Sequence, residues 1–388
     1  MKFGSNLKLE WKESERFDKS SDGDRSIVFY AENESYTIYL QPLMDSLINE
    51  HGLKISYVTS SKTDPLLKSN NGNISSFYIG DGIARTKFFI NLRAEILVTT
   101  MPDLETFHIK RSKVHQVHYV HVLHSLNSTH FSYRKNAFDH FDTIFCAGSY
   151  HVNEIREAEK KYGLKEKKLV ECGYGRLDEL LQIVKNRDLE KNIENERKII
   201  LVAPSWGKSG LIESNGEYVV QTLLDFGYDV ILRPHPMTLK KSQKIIQSIE
   251  KKFGKNPNFK LETNIKNIDS FFICDCMISD WSGVAIEYAF ALEKPVLYVD
   301  TPQKMVNPEA NNIEIVPLEK RIRAEIGYIV SLSELSKIPS KIENLWINSA
   351  QIKNQIQKIR GETVFNIGNS GSVGSKYLVQ LLKKNTEF

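Results

Sequence analysis

Short apolar runs, rich in β-branched and aromatic side chains, alternate along this chain with longer stretches whose apolar positions recur at helical spacing. The first kind predicts strands, the second predicts amphipathic helices, and their regular alternation predicts a parallel α/β architecture. In the first half, strands are expected at residues 26–31, 54–59, 95–99, 117–122, 143–147 and 168–171, with helices at 36–50, 82–92, 150–162 and 177–185. Residues 185–198 are charged and lack apolar periodicity, which marks a linker. A second series follows, with strands at 198–203, 229–233, 260–262, 274–279 and 295–299 and helices at 216–226, 242–253, 284–292 and 331–338. A last helix, 375–384, comes after a Gly/Ser-rich turn at 368–374. The expected organisation is one Rossmann-like domain over residues 1–184, a second over 185–365, and a C-terminal helix within 366–388 placed to pack back on the first. Two such parallel-sheet domains facing each other across a cleft form the GT-B arrangement.

Length agrees with two cores, since 388 residues exceed what one ordinary core organises. The composition, 41% hydrophobic and 26% charged, is that of a soluble globular protein. No apolar run approaches the ~20 residues that span a bilayer, and the charged N-terminus carries no apolar signal region. A cytoplasmic protein is therefore expected. A net charge of +4 is too small to imply a nucleic-acid partner. Lysines cluster within 110–113, 160–168 and 240–255. They read as solvated helix faces or, more sharply, as a basic surface resting on the inner face of an anionic membrane. Cys146, Cys172, Cys274 and Cys276 all lie in apolar runs, which points to buried reduced thiols and not to a disulfide framework.

Two motifs sit just past expected strand ends, where parallel α/β domains hold ligands. The first is Arg233-Pro234-His235-Pro236. Its prolines end ladder pairing and fix the backbone, so that His235 can offer an imidazole, and Arg233 a charge, to a phosphate oxygen. A turn histidine with an incidental arginine is the plain alternative. The second is Ser279-Asp280-Trp281-Ser282-Gly283, directly before a helical stretch. Serine hydroxyls and exposed backbone N–H groups at a helix start make an anion site. Ser282 could simply cap its helix. Asp280 either orients the loop or touches ligand, with the first role favoured. Glu287, one turn into the helix, either accepts from ribose hydroxyls or is a solvated glutamate. Ser205, in Ala203-Pro204-Ser205-Trp206-Gly207, ends the first strand of the second domain and could reach the same phosphate.

Eight of the ten histidines fall between His108 and His151. A metal reading fails on spacing, because a strand over this region puts His118 and His124 on one face and His121 on the other, with no converging cysteines or carboxylates. No metal and no cofactor are expected. His124 differs from its neighbours in standing at a strand end, before Ser125-Leu126-Asn127-Ser128, where it can act across the cleft as a general base. Gly173-Tyr174-Gly175-Arg176-Leu177-Asp178 ends the last strand of the first domain and reads as part of a hinge.

Jointly, His124-Ser125, Gly173 to Asp178, Arg233-Pro234-His235, Ser279 to Gly283, Glu287-Tyr288-Ala289 and Lys294-Pro295 resemble a known family. It is the CDP-glycerol:poly(glycerophosphate) glycerophosphotransferases of teichoic-acid synthesis, and the resemblance runs from about residue 95 to the C-terminus. It implies a GT-B fold, peripheral membrane association and transfer of a polyol phosphate from a CDP-polyol to a hydroxyl of a glycan or polyol-phosphate acceptor, with release of CMP. Carried over, His124 is the base, and His235 with Ser279, Ser282 and Gly283 holds the diphosphate. Ser125 stands where the family typically has glycine, and the phosphate loop reads Trp-Ser-Gly. Both departures leave the donor open. The extra N-terminal membrane-targeting region of the long polymerases is not expected here. The alternatives are a GT-B glycosyltransferase using a UDP- or CMP-sugar, an isomerase like the UDP-N-acetylglucosamine 2-epimerases, and a non-catalytic partner that keeps only the nucleotide site.

Overall fold

In the computed structural model, which describes residues 3–187, 197–264, 267–303 and 305–386, the strands gather into two parallel sheets. The first contains β1 (Ile27–Ala31), β2 (Ile55–Thr59), β3 (Ile74–Tyr78), β4 (Ile96–Thr99), β5 (His118–Val122), β6 (Thr143–Cys146) and β7 (Lys168–Glu171). Their spatial order is β3-β2-β1-β4-β5-β6-β7. The second contains β8 (Ile199–Val202), β9 (Asp229–Leu232), β10 (Phe259–Leu261), β11 (Cys276–Ser279), β12 (Val296–Asp300) and β13 (Gly327–Ser331), in the order β10-β9-β8-β11-β12-β13. Each sheet reverses direction of growth beside its first strand, at β1/β4 and at β8/β11, and those switch points are where such sheets open a crevice for ligands.

The central strands are mostly apolar and buried, as expected where helices cover both faces. All five residues of β1 are buried, and Met277 in β11 lies between Leu201 of β8 and Val296 of β12. The core of the second sheet does not stop at its own half. It continues into Leu126, Tyr150, Tyr174 and Leu177 of the first. The C-terminal helix Ser370–Thr386 returns to the first half, where Ser375 Oγ lies 2.7 Å from Ser46 Oγ on the helix Thr37–Asn49 and Leu378 is buried in that core. Asp178 anchors the return by accepting from the Gly368 and Ser370 backbone N–H groups at 2.6 and 2.9 Å. Gly173 makes the approach possible, since its φ of +100° is a left-handed value and a Cβ there would strike the Phe365 carbonyl.

Several elements differ from the sequence expectation. β3 and β13 were not expected; both are edge strands, and β3 carries two half-buried serines in its middle. The helix expected at 331–338 is a 3-10 turn, Leu332–Lys337, followed by a helix Ile338–Ile347 that starts with Pro339 in its first turn, where a missing N–H costs nothing. Helices Phe3–Asp18 and Ser349–Thr363 were also not expected. The helix expected from 216 begins earlier, spanning Leu211–Asp225. Of the expected linker, residues 188–196 lie outside the described residues. The four cysteines are buried and unbridged. No helix among the described residues is long and apolar enough to cross a membrane.

Candidate active site

β9 and β11 deliver their motifs to the same end of the second sheet. After β11, Asp280 is fully buried, and its carboxylate collects three backbone donors: Ser205 N at 2.7 Å, Trp281 N at 2.6 Å and Leu211 N at 3.4 Å. It thereby ties the loop after β8 to the loop after β11. Burial pushes its carboxyl upward against these hydrogen bonds. Trp281 is fixed in turn by donating from Nε1 to the Thr301 carbonyl at 2.7 Å and by Arg323 stacked 3.5 Å from its ring centre. Ser282 precedes the helix Gly283–Leu292 in extended geometry, and its side chain makes no capping hydrogen bond. The first N–H groups of a ten-residue helix therefore lack a side-chain cap, beside partly exposed Ser282 and Gly283.

Other motif residues take structural positions. Ser279 is completely buried and donates from Oγ to the Ala203 carbonyl at 2.9 Å, binding β11 to the end of β8. The Arg233 guanidinium is buried and turned inward, with Nη1 donating to Glu262 at 2.8 Å, to Ser270 Oγ at 3.3 Å and to the Asn267 carbonyl. His235 begins the short helix Pro236–Lys241, with Nδ1 accepting from Met237 N at 3.0 Å. An accepting Nδ1 places the neutral ring's hydrogen on Nε2. Glu287 is not a solvated helix glutamate. It is buried between the halves and accepts from the Tyr174 hydroxyl at 2.6 Å. Burial raises its carboxyl, and Arg176, Tyr174 and Arg233 partly offset this.

From the first half, the loop after β5 reaches this helix start. His124 is only partly exposed, ringed by Tyr36, Tyr39 and Tyr133 at centroid distances of 5.4, 5.8 and 5.6 Å. Its Nδ1 lies 3.3 Å from the Tyr133 hydroxyl. Burial lowers the ring's pKa to about 4, opposed by a backbone hydrogen bond at Thr100, so His124 is neutral at pH 7. Beyond it, Asn127 Nδ2 donates to the Trp281 carbonyl at 3.1 Å. A Cβ on Gly283 would lie 2.7 Å from Ser125 Oγ and 2.9 Å from Asn127 Oδ1, so only glycine lets the two loops meet this closely. His151, another of the clustered histidines, serves this loop: Nδ1 accepts from Ala147 N at 3.3 Å and Nε2 donates to the Asn127 carbonyl at 3.0 Å.

The seam extends further. Ser128 N donates to Glu319 at 2.9 Å, Leu318 N donates to Ser128 Oγ at 2.7 Å, and Val306 N donates to the Phe131 carbonyl at 2.9 Å. Among the described residues, no group of three or more His, Cys, Asp or Glu could hold a metal ion. The sequence reading missed Tyr36, Tyr39, Tyr133, Asn127 and the 306–319 segment as parts of this site. Only Tyr174 carried a signal, as the tyrosine between two glycines at a strand end.

A profile of the CDP-Glycerol:Poly(glycerophosphate) glycerophosphotransferase family matches residues 24–304. The chain belongs to this family of transferases. The teichoic acid poly(glycerol phosphate) polymerase of Staphylococcus epidermidis is 23% identical over 175 residues, which are 41% of this chain. The match spans only 22% of that polymerase's length. Among solved structures, the wall teichoic acid polymerase TagF superposes over 99% of this chain and 96% of its own, with a TM-score of 0.61 at 16% identity. The UDP-GlcNAc 2-epimerase of Methanocaldococcus jannaschii covers 91% of this chain and 99% of its own, with a TM-score of 0.58 at 15% identity. At these identities the likeness concerns the fold. Two parallel sheets facing each other, with such neighbours, make the fold GT-B-like.

Proposed function

We propose that this glycerophosphotransferase-family chain moves a polyol phosphate from a CDP-polyol to a hydroxyl of a glycan or teichoic-acid-like acceptor. The first half carries the acceptor and the base, and the second half carries the donor. The observation behind this reading is the meeting of two loops: the one bearing neutral His124 touches the uncapped helix start at Gly283 through Ser125 and Asn127. A base and an anion site are thus held together across the cleft. His124 takes the acceptor proton as the hydroxyl oxygen bonds to the β-phosphorus. The bond from that phosphorus to the bridging oxygen breaks, and CMP leaves with the oxygen. Charge on the phosphoryl oxygens is met by the N–H groups after Ser282 and by the His235 Nε2 hydrogen, so positioning and electrostatics supply most of the rate. Ser279 and Arg233 support this from behind, as a strand tie and an internal ion pair.

Two measurements test the reading. His124→Ala should lower turnover by about 10²-fold or more while donor binding is kept; unchanged turnover refutes the mechanism. In a thermal-shift panel of CDP-glycerol, CDP-ribitol, UDP-N-acetylglucosamine and CMP-sialic acid, a cognate donor at ~100 Kd should add about 2.7 kcal/mol. Preference for a UDP-sugar would overturn the CDP-polyol assignment.

A further inference from the structure

Ser125 follows His124 directly on the loop after β5 and is half-buried. Its Oγ accepts from the Asn127 backbone N–H at 3.1 Å, which fixes the oxygen in place. Asn127 is braced in turn from two sides: its Nδ2 donates to the Trp281 carbonyl at 3.1 Å, and its own carbonyl accepts from His151 Nε2 at 3.0 Å. A hydroxyl also carries one hydrogen to donate. Among the described residues, nothing accepts the hydrogen of Ser125. What stands opposite is the start of the helix Gly283–Leu292. A Cβ on Gly283 would lie 2.7 Å from Ser125 Oγ, so the hydroxyl touches the residue whose helix start has no side-chain cap.

Donors from the two halves therefore meet at one place: an O–H from the first and backbone N–H groups from the second. The side-chain acceptor beside them, Asn127 Oδ1, is shielded from the surface. Such a set suits an oxyanion, which accepts from every member. We propose that Ser125 is a further ligand-binding residue of the cleft, its hydroxyl donating to an oxygen of the phosphoryl group that is transferred while the helix start at Gly283 donates to the same group. The proposal rests on reading the cleft as a donor-diphosphate site and goes beyond it, because it gives the first half a direct hold on the anion. The hydroxyl keeps its hydrogen throughout, so the bonds made and broken in the transfer are unchanged. As the acceptor oxygen bonds and CMP leaves, charge on the phosphoryl oxygens is met by a donor already in place. Ser125 and His124 are consecutive, so the loop that holds the phosphoryl group also aims the base.

The test compares a nucleotide that keeps the attacked phosphorus, CDP, with one that lacks it, CMP. In calorimetric titrations of the full chain, Ser125→Ala should weaken CDP about tenfold or more, the size of a hydrogen bond to a charged group, and leave CMP unchanged. Ser125→Gly removes the hydroxyl and also relieves the contact with Gly283, and it should give the same pattern. Thermal unfolding of both variants checks that the fold is kept. Equal weakening of CDP and CMP would make Ser125 a brace for Asn127 alone and overturn the proposal. Undiminished CDP affinity in both variants would overturn it too. A wild-type preference for UDP over CDP bears on the CDP-polyol reading; the comparison of UDP with UMP then decides the role of Ser125 by the same criteria. Turnover of His124→Ala bears on the base and leaves this inference intact.

Discussion

The pKa of His124 leads to a specific pH signature. A free imidazole titrates near 6.5, but this ring sits at about 4 because three tyrosines and the sheet end exclude water from it. The free enzyme therefore keeps about nine-tenths of His124 neutral even at pH 5. Binding a doubly ionised diphosphate changes the balance. A unit charge placed ~6 Å away at an effective dielectric of ~20 contributes about 3 kcal/mol, or ~2 pK units, in favour of the protonated ring. The acid limb of kcat/KM, which reports the free enzyme, should lie near 4, and the acid limb of kcat, which reports the complex, should lie near 6. Steady-state kinetics from pH 3.5 to 8 would separate them, with circular dichroism at each pH to exclude unfolding. The same shift bears on stability. The unfolded ring binds its proton below about 6.5 while the folded ring does not, so stability falls as pH drops from 6.5 towards 4, by at most about 3 kcal/mol from this group. A kcat/KM limb at 6.5, or coincident limbs, would refute the reasoning.

Three substitutions separate structural from ligand roles. Gly283→Ala puts a Cβ 2.7 Å from Ser125 Oγ and should weaken donor binding about tenfold by parting the loops, although alanine is the better helix former; unchanged donor affinity in calorimetry would count against the loop contact. Ser279→Ala should cost about 1 kcal/mol in urea unfolding and leave donor affinity intact, and a drop in affinity without destabilisation would return Ser279 to the phosphate. Arg233→Met should destabilise by about 3–5 kcal/mol because Glu262 is left charged and buried, with most of the loss recovered in the Arg233→Met/Glu262→Leu double variant. Failure of that recovery would show that Arg233 acts through something other than the pair.

Much of this fold was legible because central strands of parallel sheets are apolar on both faces. Runs such as Ile27 to Ala31 cannot easily be anything else once the helical patterns around them are recognised. An edge position alone does not explain why β3 and β13 escaped, since the edge strands β7 and β10 were expected; β3 carries Ser75 and Ser76 within its run, and β13 opens on Gly327. His124, His235 and Ser282 were legible by position, at strand ends before helices or loops. What each does with its atoms was not. Ser279 and Ser282 stand three residues apart in one motif, yet one is fully buried and bonded to Ala203 while the other is partly exposed at the helix start. That difference depends on how β11 lies against β8. Likewise, Glu287 lost its solvated alternative only when Tyr174, from the other half, came within 2.6 Å.

The same dependence on partners decides how the two halves behave. By chain, the segment from His124 to Lys135 belongs to the first sheet. By hydrogen bonding it belongs as much to the second, through Trp281, Val306, Ile315, Leu318 and Glu319. Each such bond contributes about 1 kcal/mol net, and several must break together if the sheets are to part here. The apolar core also runs unbroken across the boundary at Leu126, Tyr150, Tyr174 and Leu177. Free rotation is the default between domains only where their interface is small and polar, which this one is not. The loop bearing His124 and the helix start at Gly283 are therefore held together, and any motion that parts the two halves here must break the seam as a unit. If His124 acts as proposed, such an arrangement suits a reaction whose rate comes from positioning, since the loop that bears it already meets the helix start at Gly283.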